Sequence, residues 1–342
     1  MRGFGRIALP LALAAALAGS LIAGEPKSSK EFSDAQKTAI QSVEKHQADI
    51  VAANRAIWEF AEVGLEEHKS AGLLVDKLRD AGFEIETGLA GMPTAFVASY
   101  GEGEPVVAIL AEYDALPGLS QKVVPYREPR ESGAAGHACG HSGLGSGALG
   151  SVIAVKEAME KHGIQGTLRL YGTPAEETGI GKVYMQLAGV FDDVDVCLHW
   201  HPSTKNQTWA GSSKALVSVK YRFSGVPAHA SGSPESGRSA LDAVELMNIG
   251  VNYLREHVKE DARLHYVVTN GGGQPNVVPP NAEVWYYIRA DKHADVEDYF
   301  EWVKEIAAAA AAMTRTTLAS VQVDADMHEV LPNRALVEAV HR

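Results

Sequence analysis

The sequence predicts an α/β protein in which a mostly parallel sheet carries an inserted α+β domain. In the first part of the chain, amphipathic helical segments alternate with short apolar runs. Residues 105–114 (PVVAILAEYD) are almost continuously apolar, as expected of a strand covered on both faces. From residue 213 the pattern changes to alternation with period two, as in ALVSVKYRFSG, which indicates a sheet with one buried face. The chain therefore divides into a larger α/β domain and a smaller α+β domain.

The larger domain begins with two helical segments, each of which stops at a glycine, Gly64 or Gly82. Three strand-like runs follow, then a helix that stops at Gly163, then two more strands. The predicted helices cover residues 33–63, 68–81 and 142–162, and the predicted strands cover residues 83–88, 94–101, 105–114, 167–172 and 194–198.

The smaller domain has the pattern of a β-α-β-β-α unit, and we predict a ferredoxin-like fold for it. Its first helix is predicted to begin with Ser233 as the N-cap and Pro234 at the first position. Its second helix contains six consecutive alanines, Ala307–Ala312, which are strong helix formers. The predicted divisions of the chain are residues 1–24, 33–212, 213–323 and 324–342, of which the last is the start of a segment that returns to the larger domain.

The N-terminus has the pattern of a secretory signal peptide. Arg2 and Arg6 precede an apolar run, and small residues that suit a cleavage site follow it. The run is too short to cross a bilayer. We therefore expect residues 1–24 to direct export, in a bacterium to the periplasm.

The bulk composition describes a globular protein with an acidic balance. The 342 residues are 46% hydrophobic and 22% charged, with a formal net charge of −12. This charge argues against nucleic acid or an anionic membrane surface as a partner. It leaves open a small-molecule substrate bound in a local basic pocket.

Three polar clusters follow predicted strands, so they are expected to meet at one edge of the sheet. Thiolate, imidazole and carboxylate groups are the ligands of a zinc-like ion. Adjacent glutamates point to opposite sides, so one can bind metal while the other acts as a general base toward a metal-activated water. The clusters are the pairs Cys139/His141, Glu176/Glu177 and His199/His201.

Two other interpretations of the cysteines remain open at this point. Cys139 could be a nucleophile with His137 or His141 as its base, although this leaves the other two clusters without a role. Export would also permit a disulfide between Cys139 and Cys197, which is less favoured if either thiol is a ligand.

Several longer motifs resemble the amidohydrolase branch of the metallopeptidase family that includes aminoacylases, dipeptidases and glutamate carboxypeptidases. They are AEYDALPG, GHACGHSGLGSGALG, TPAEETGIGK, HWHP, GVPAHAS, GRSALDAVELMN and GGGQPNVVPPNAEVWYYIRA. The resemblance runs from about residue 35 to the end of the chain. It implies a catalytic domain with two divalent ions, Zn²⁺ or Mn²⁺, and an inserted lid that mediates dimerisation. It also implies an N-acyl amino acid as substrate, and it leaves open whether a second kind of subunit is needed.

The same resemblance implies a role for individual residues. Glu176 would be the general base, and His229 of the lid would contact the substrate carbonyl. Asn276 and Arg289 would bind substrate, and Asp114 would support the ligands from behind, because Glu112 occupies the position where many relatives have a histidine ligand. The implied metal ligands are Cys139, His141, Glu177 and His201, with His199 as the alternative to His201.

One departure from the family pattern concerns the C-terminus. Relatives continue beyond the point that corresponds to residue 342 and take a last histidine ligand from that segment, whereas His341 lies in a different context. We therefore expect a C-terminally truncated catalytic domain with an incomplete second metal site. A non-catalytic relative that binds metal or amino-acyl ligands without hydrolysing them is the alternative function.

Overall fold

The computed structural model describes residues 31–341, and the predicted signal peptide lies outside these residues. No helix in this range combines the length and the apolar character needed to cross a membrane. The helices are α1 (Asp34–Phe60), α2 (His68–Asp80), α3 (His141–His162), α4 (Gly181–Leu187), α5 (Ala240–Leu254), α6 (His293–Thr314) and α7 (Arg334–His341). The strands are β1 (Glu84–Thr87), β2 (Phe96–Glu102), β3 (Val106–Ala111), β4 (Gly166–Gly172), β5 (Val196–Leu198), β6 (Ala215–Ser224), β7 (Arg263–Asn270), β8 (Asn281–Ala290) and β9 (Thr317–Met327).

The first sheet has the strand order β1-β2-β4-β3-β5 and is mixed rather than mostly parallel. Strands β4, β3 and β5 are parallel, whereas β1 and β2 run antiparallel to their neighbours. The prediction of a mostly parallel sheet is wrong for the β1–β2 edge because a short connection can only join antiparallel neighbours. Helices α3 and α4 supply the longer crossovers that make β3, β4 and β5 parallel.

Helices α1, α2 and α3 cover one face of this sheet. Their apolar side chains form a single core with the strands, in which Ile57, Leu74 and Leu78 are fully buried. The opposite face carries a smaller cluster that includes Tyr171 and Met185. Coverage on both faces directs the loops at the carboxyl ends of β3, β4 and β5 to one exposed edge.

The second sheet, with strand order β7-β8-β6-β9, is fully antiparallel and belongs to the α+β unit of residues 215–327. Helices α5 and α6 pack on one of its faces. The fourth strand, β9, was not predicted, and the predicted boundary at residue 323 falls inside it. Its alternation is irregular because the ladder with β6 has two register shifts.

The first helix of this unit begins later than predicted. Ser233 and Pro234 open only a short 3₁₀ turn, and α5 begins after Ser239, whose side chain accepts a hydrogen bond from the backbone N–H of Asp242. The segment between the two turns is extended, because Arg238 pairs with Val226 through backbone hydrogen bonds. The prediction of Ser233 as the N-cap is therefore wrong, since tertiary pairing prevents a continuous helix.

The open face of the second sheet contacts the loop after β4. Gly179 has a positive φ of 72°, and a Cβ added there would lie 3.1 Å from Met327 Cε and 3.7 Å from Leu216 Cδ2. The hydroxyl of Tyr287 lies 3.4 Å from the carbonyl oxygen of Thr178. The α+β unit thus packs directly against the loop that carries the two predicted catalytic glutamates.

Candidate metal centre

The carboxyl ends of three parallel strands bring the predicted polar clusters to one edge of the first sheet. Glu112 and Asp114 follow β3, Glu176 and Glu177 follow β4, and the HWH segment directly follows β5. The Cys139/His141 pair joins them from a long loop after β3, at the start of α3. The convergence that the sequence predicts is present in the structure.

His141 is the central residue of this arrangement. Gly140, with a φ of 85°, ends the preceding loop in a conformation that L side chains rarely adopt and lets α3 begin at His141. The imidazole of His141 is fully buried, and its Nδ1 lies 2.9 Å from Oδ1 of Asp114. Because a carboxylate only accepts hydrogen bonds, Nδ1 carries the proton and Nε2 keeps its lone pair for a ligand.

A first group of donor atoms consists of one sulfur and two ring nitrogens. Donor atoms of Cys139, His141 and His201 all lie within 4.8 Å of one another. The Sγ of Cys139 is 3.3 Å from Nε2 of His201. Burial, and then the charges of Glu177 and Glu176, raise the pKa of Cys139 to about 11, so the thiol stays protonated unless a cation is nearby.

A second group of donor atoms is formed by Glu112, His141 and Glu176, again within 4.8 Å. Glu112 is 2% exposed, and its Oε1 contacts both the ammonium of Lys182 and, at 3.2 Å, Nε2 of His199. Burial favours the neutral carboxyl, but the hydrogen bond with His199 and the charge of Lys182 hold the pKa of Glu112 at about 2. The structure therefore adds Glu112 and Lys182 to the site.

The sequence held a signal for Glu112 that its interpretation as a departure hid. Glu112 directly follows a buried strand, as a ligand at this sheet edge should. Lys182 had no such signal, because it lies in the first turn of α4, in a glycine-rich stretch without a periodic pattern.

The donor groups fit divalent cations. Among the described residues, buried side-chain atoms without a hydrogen-bond partner include Oε2 of Glu112, Nε2 of His141 and Oε1 of Glu177. Unpaired buried polar atoms destabilise a fold by about 1–3 kcal/mol each. All three lie in the site and all are metal-ligand atoms, so bound cations would satisfy them together.

The two glutamates after β4 sit in a constrained turn. Glu177 donates its backbone N–H to Oδ2 of Asp114 at 2.9 Å. Ala175 has a φ of 54°, which is unfavourable for an alanine, and its N–H is held by the buried carboxylate of Glu67 at 2.8 Å. Sequence reasoning missed Glu67, since it lies far away in the chain at the start of α2.

Glu176 has the properties of a proton acceptor near neutral pH. Burial is the main cause that raises its pKa, and the charge of Glu112 adds to it. The Glu176 side chain remains 41% exposed, and its Oε2 lies 3.7 Å from Nε2 of His141. A carboxylate that is both accessible and raised in pKa can accept and release a proton during a reaction.

The two histidines of the HWH segment take different places. His201 lies beside Cys139, whereas the alternative ligand His199 lies beside Glu112. Between them Trp200 packs against α3, where a Cβ added to Gly147 would lie 2.7 Å from Trp200 Cζ2. Trp200 thus fixes the segment that presents both imidazoles.

The other predicted site residues lie in the α+β unit. His229 is exposed, and its Nδ1 accepts hydrogen bonds from the backbone N–H groups of Ser231 and Gly232. Asn276 lies on the adjoining segment, where its carbonyl accepts the N–H of Ala230 at 2.9 Å. In residues 31–341, no hydrogen bond or ion pair joins His229, Asn276 or Arg289 to the donor groups, and their roles stay predictions.

The structure also bears on the alternative interpretations of the cysteines. Both Cys139 and Cys197 are free thiols. Nε2 of His137 lies 3.0 Å from the carbonyl oxygen of Ile57, so this ring is engaged by α1. The acidic surroundings of Cys139 disfavour a free thiolate, which weakens the nucleophile hypothesis.

Comparison with known proteins agrees with the resemblance seen in the motifs. Residues 108–323 match the peptidase family M20/M25/M40. The chain is 46% identical over 288 residues to one of the two subunits of the Escherichia coli p-aminobenzoyl-glutamate hydrolase, and the match covers 84% of this chain and 60% of that protein. It is 31% identical to the Xaa-Arg dipeptidase of Mus musculus, with 91% and 71% covered. The predicted family resemblance is confirmed, and the chain spans only about 60% of the length of the bacterial relative.

Solved structures share the fold. The aminobenzoyl-glutamate utilization protein from Klebsiella pneumoniae superposes with a TM-score of 0.69 at 22% identity, over 88% of this chain and 81% of that one. A Bacillus subtilis protein described as a dinuclear metal binding peptidase of the M20 family superposes with a TM-score of 0.59 at 20% identity, over 86% and 78%. The predicted α/β class is confirmed at this level.

Proposed function

This chain belongs to the peptidase family M20/M25/M40, and on that premise we propose that it is a metal-dependent amidohydrolase. Its substrate would be an N-acyl amino acid, such as an aminobenzoyl- or aminoacyl-amino acid, whose amide bond is cleaved by water. Relatives named as hydrolases of p-aminobenzoyl-glutamate, indole-3-acetyl-aspartic acid and hippurate support this class of substrate.

The observation that carries the proposal is the pair of donor groups that share His141. One group is rich in sulfur and nitrogen, the other in carboxylates, and together they leave three buried ligand atoms unpaired. We propose that Cys139, His141, Glu177 and His201 hold one ion and that Glu112 takes part in holding the second. Zn²⁺ suits the first group, and either Zn²⁺ or Mn²⁺ suits the second.

In this proposal, the ions when bound would acidify water and polarise the amide carbonyl. Glu176 would accept the proton of the attacking water at its carboxylate and deliver it to the departing amine. His229 would steady the negative charge that develops on the carbonyl oxygen. Asn276 and Arg289 would orient the substrate from the α+β unit, since Arg289 lies on the sheet face that contacts the loop of Glu176.

Location and assembly are separate parts of the proposal. The basic start and short apolar run of residues 1–24 support export to the periplasm. The edge strand β7 exposes Val267 by 56% and Val268 by 46%, which supports a homodimer through the α+β unit. Two relatives are named as different subunits of p-aminobenzoyl-glutamate hydrolase, which suggests a partner of a second kind.

Hydrolysis of a panel of N-acyl amino acids by the purified protein tests the proposal. We expect at least one member to release its amine after loading with Zn²⁺ or Mn²⁺, and we expect a chelator to abolish the release reversibly. Metal-loaded protein that binds the panel without releasing amine would contradict the proposal and favour the non-catalytic alternative.

A further inference from the structure

A row of four side chains crosses the open face of the second sheet. Strand register places Met327, Leu216, Arg289 and Arg263 opposite one another on β9, β6, β8 and β7. Residues directly opposed on antiparallel strands share a face. Because Met327 and Leu216 contact Gly179, the row extends from the loop of the metal centre to the free edge of the sheet.

The two arginines of this row have no carboxylate partner among residues 31–341. Arg289 is half-buried and makes no hydrogen bond or ion pair there; it only lies over the ring of Tyr287, 5.1 Å from the centroid. Arg263 is exposed and donates only to the backbone carbonyls of Glu260 and Ala262. Like charges in directly opposed positions destabilise a sheet, and this arrangement persists in a chain whose net charge is −12.

Nearby carboxylates are engaged elsewhere. Asp291 pairs with Lys214 at 2.6 Å, and Asp261 accepts the backbone N–H of Asp291 at 2.7 Å. His265 lies two residues beyond Arg263 on the same face, and its pKa is lowered by burial and then by the charges of Arg289, Arg255 and Arg263. The face therefore carries positive charge that its own neighbours leave uncompensated.

Tyr287 connects this face to the metal centre. Its hydroxyl lies 3.4 Å from the carbonyl oxygen of Thr178, and it is the next residue on the Arg289 face of β8. Burial raises the pKa of Tyr287, the charge of Arg289 opposes the shift, and the charge of Glu176 adds to it. Tyr287 thus lies within the fields of both Arg289 and Glu176.

We infer that Arg289 and Arg263 bind two carboxylates of one substrate, so that the amino acid released is acidic, with an aspartate- or glutamate-like side chain. The inference rests on the proposed hydrolase function. Arg289, next to the loop of Glu176, would take the α-carboxylate that every such product carries. Arg263, one strand further out, would take the side-chain carboxylate, with His265 beside it. Guanidinium groups bind carboxylates through two parallel hydrogen bonds, which makes them selective for charge and geometry.

The test compares two ligands of the same shape that differ in one charge, N-acetyl-L-glutamate and N-acetyl-L-glutamine. Calorimetric binding is measured with the metal-loaded Glu176→Gln protein, so that turnover does not consume the ligands. We expect the glutamate ligand to bind more tightly. Arg263→Gln should weaken it roughly 10- to 100-fold while changing the glutamine ligand less than about twofold. Arg263→Lys should recover part of the preference, because it keeps the charge without the planar fork.

Arg315→Gln is the matched control. It removes one positive charge from the same unit, close to Thr317, at the opposite end of the β6–β9 ladder from Leu216, and we expect neither ligand to respond to it. Equal binding of the two ligands, no binding of either, or an equal loss for both in Arg263→Gln would overturn the inference. Failure of the proposed function has a different signature: the charge preference in binding would persist, but protein with Glu176 intact would hydrolyse neither compound.

Discussion

Nδ1 of His141 lies 2.9 Å from Oδ1 of Asp114, and both side chains are fully shielded from solvent. Asp114 also accepts the backbone N–H of Glu177 through its other oxygen. One carboxylate therefore orients a predicted ligand from α3 and a predicted ligand from the loop after β4. The donor groups depend on a residue that need not touch metal itself.

Replacement of Asp114 by asparagine should weaken metal binding without unfolding the protein. Asparagine keeps the size of the side chain, but it has one accepting oxygen instead of two and cannot hold both His141 and Glu177 as before. Loss of such a supporting residue typically costs 10- to 100-fold in metal affinity. Competition with a chromophoric zinc chelator measures the affinity. An unchanged zinc affinity in a folded Asp114→Asn protein would contradict this role.

Gly147 should matter for metal binding because it leaves room for Trp200. A Cβ at Gly147 would lie 2.7 Å from Trp200 Cζ2, so Gly147→Ala should displace the indole and, with it, His199 and His201. Gly143 lies in the same helix, and a Cβ there meets nothing within 4 Å. Both substitutions raise helix propensity by up to about 1 kcal/mol.

We therefore expect Gly143→Ala to raise thermal stability and to leave zinc affinity unchanged. Gly147→Ala should lower zinc affinity at least severalfold without a matching loss of thermal stability. Equal zinc affinities in the two variants would show that Trp200 does not position the histidines.

An ion-pair cluster between α1 and α3 should make stability depend on acid pH. Glu157 accepts hydrogen bonds from Lys45 at 2.8 Å and His46 at 2.9 Å, and these bonds, Lys45 first, lower its pKa to about 2. A depressed pKa means that the ionised carboxylate stabilises the folded state above its ordinary pKa of 4.5 and loses this effect as the pH falls toward 2.

The unfolding free energy of the wild type should therefore exceed that of Glu157→Gln at pH 6, and the difference should shrink between pH 4.5 and pH 2. The side chain is 29% exposed, so we expect the difference at pH 6 to stay below about 1 kcal/mol. Urea unfolding at a series of pH values measures it, with Glu44→Gln on the exposed side of α1 as control. A difference that grows on acidification would contradict the assignment.

The sequence predicted the larger part of the fold and the composition of the first donor group. Strands β3, β4 and β5 were recognisable from their apolar runs, and each was followed by polar residues that proved to share one sheet edge. His141 and Cys139 were recognisable because two ligand types are rare in a glycine-rich turn.

What the sequence could not predict depends on contacts between distant segments. Glu67 stabilises the turn at Ala175 from 108 positions away. Ser233 has every local feature of an N-cap, but the pairing of Val226 with Arg238 shifts the helix start to Ser239. The mixed order of the first sheet likewise depends on which strand lies beside β2, and β4 takes that place without any local signal.

The central claim is that Glu176 transfers protons and that other residues hold the metal. Metal content and turnover of Glu176→Gln, measured on the same preparation and compared with Glu44→Gln, test this claim most directly. The account predicts metal content close to that of the wild type, with hydrolysis of the best N-acyl amino acid reduced at least 100-fold. Wild-type turnover in the metal-loaded Glu176→Gln protein would contradict the mechanism.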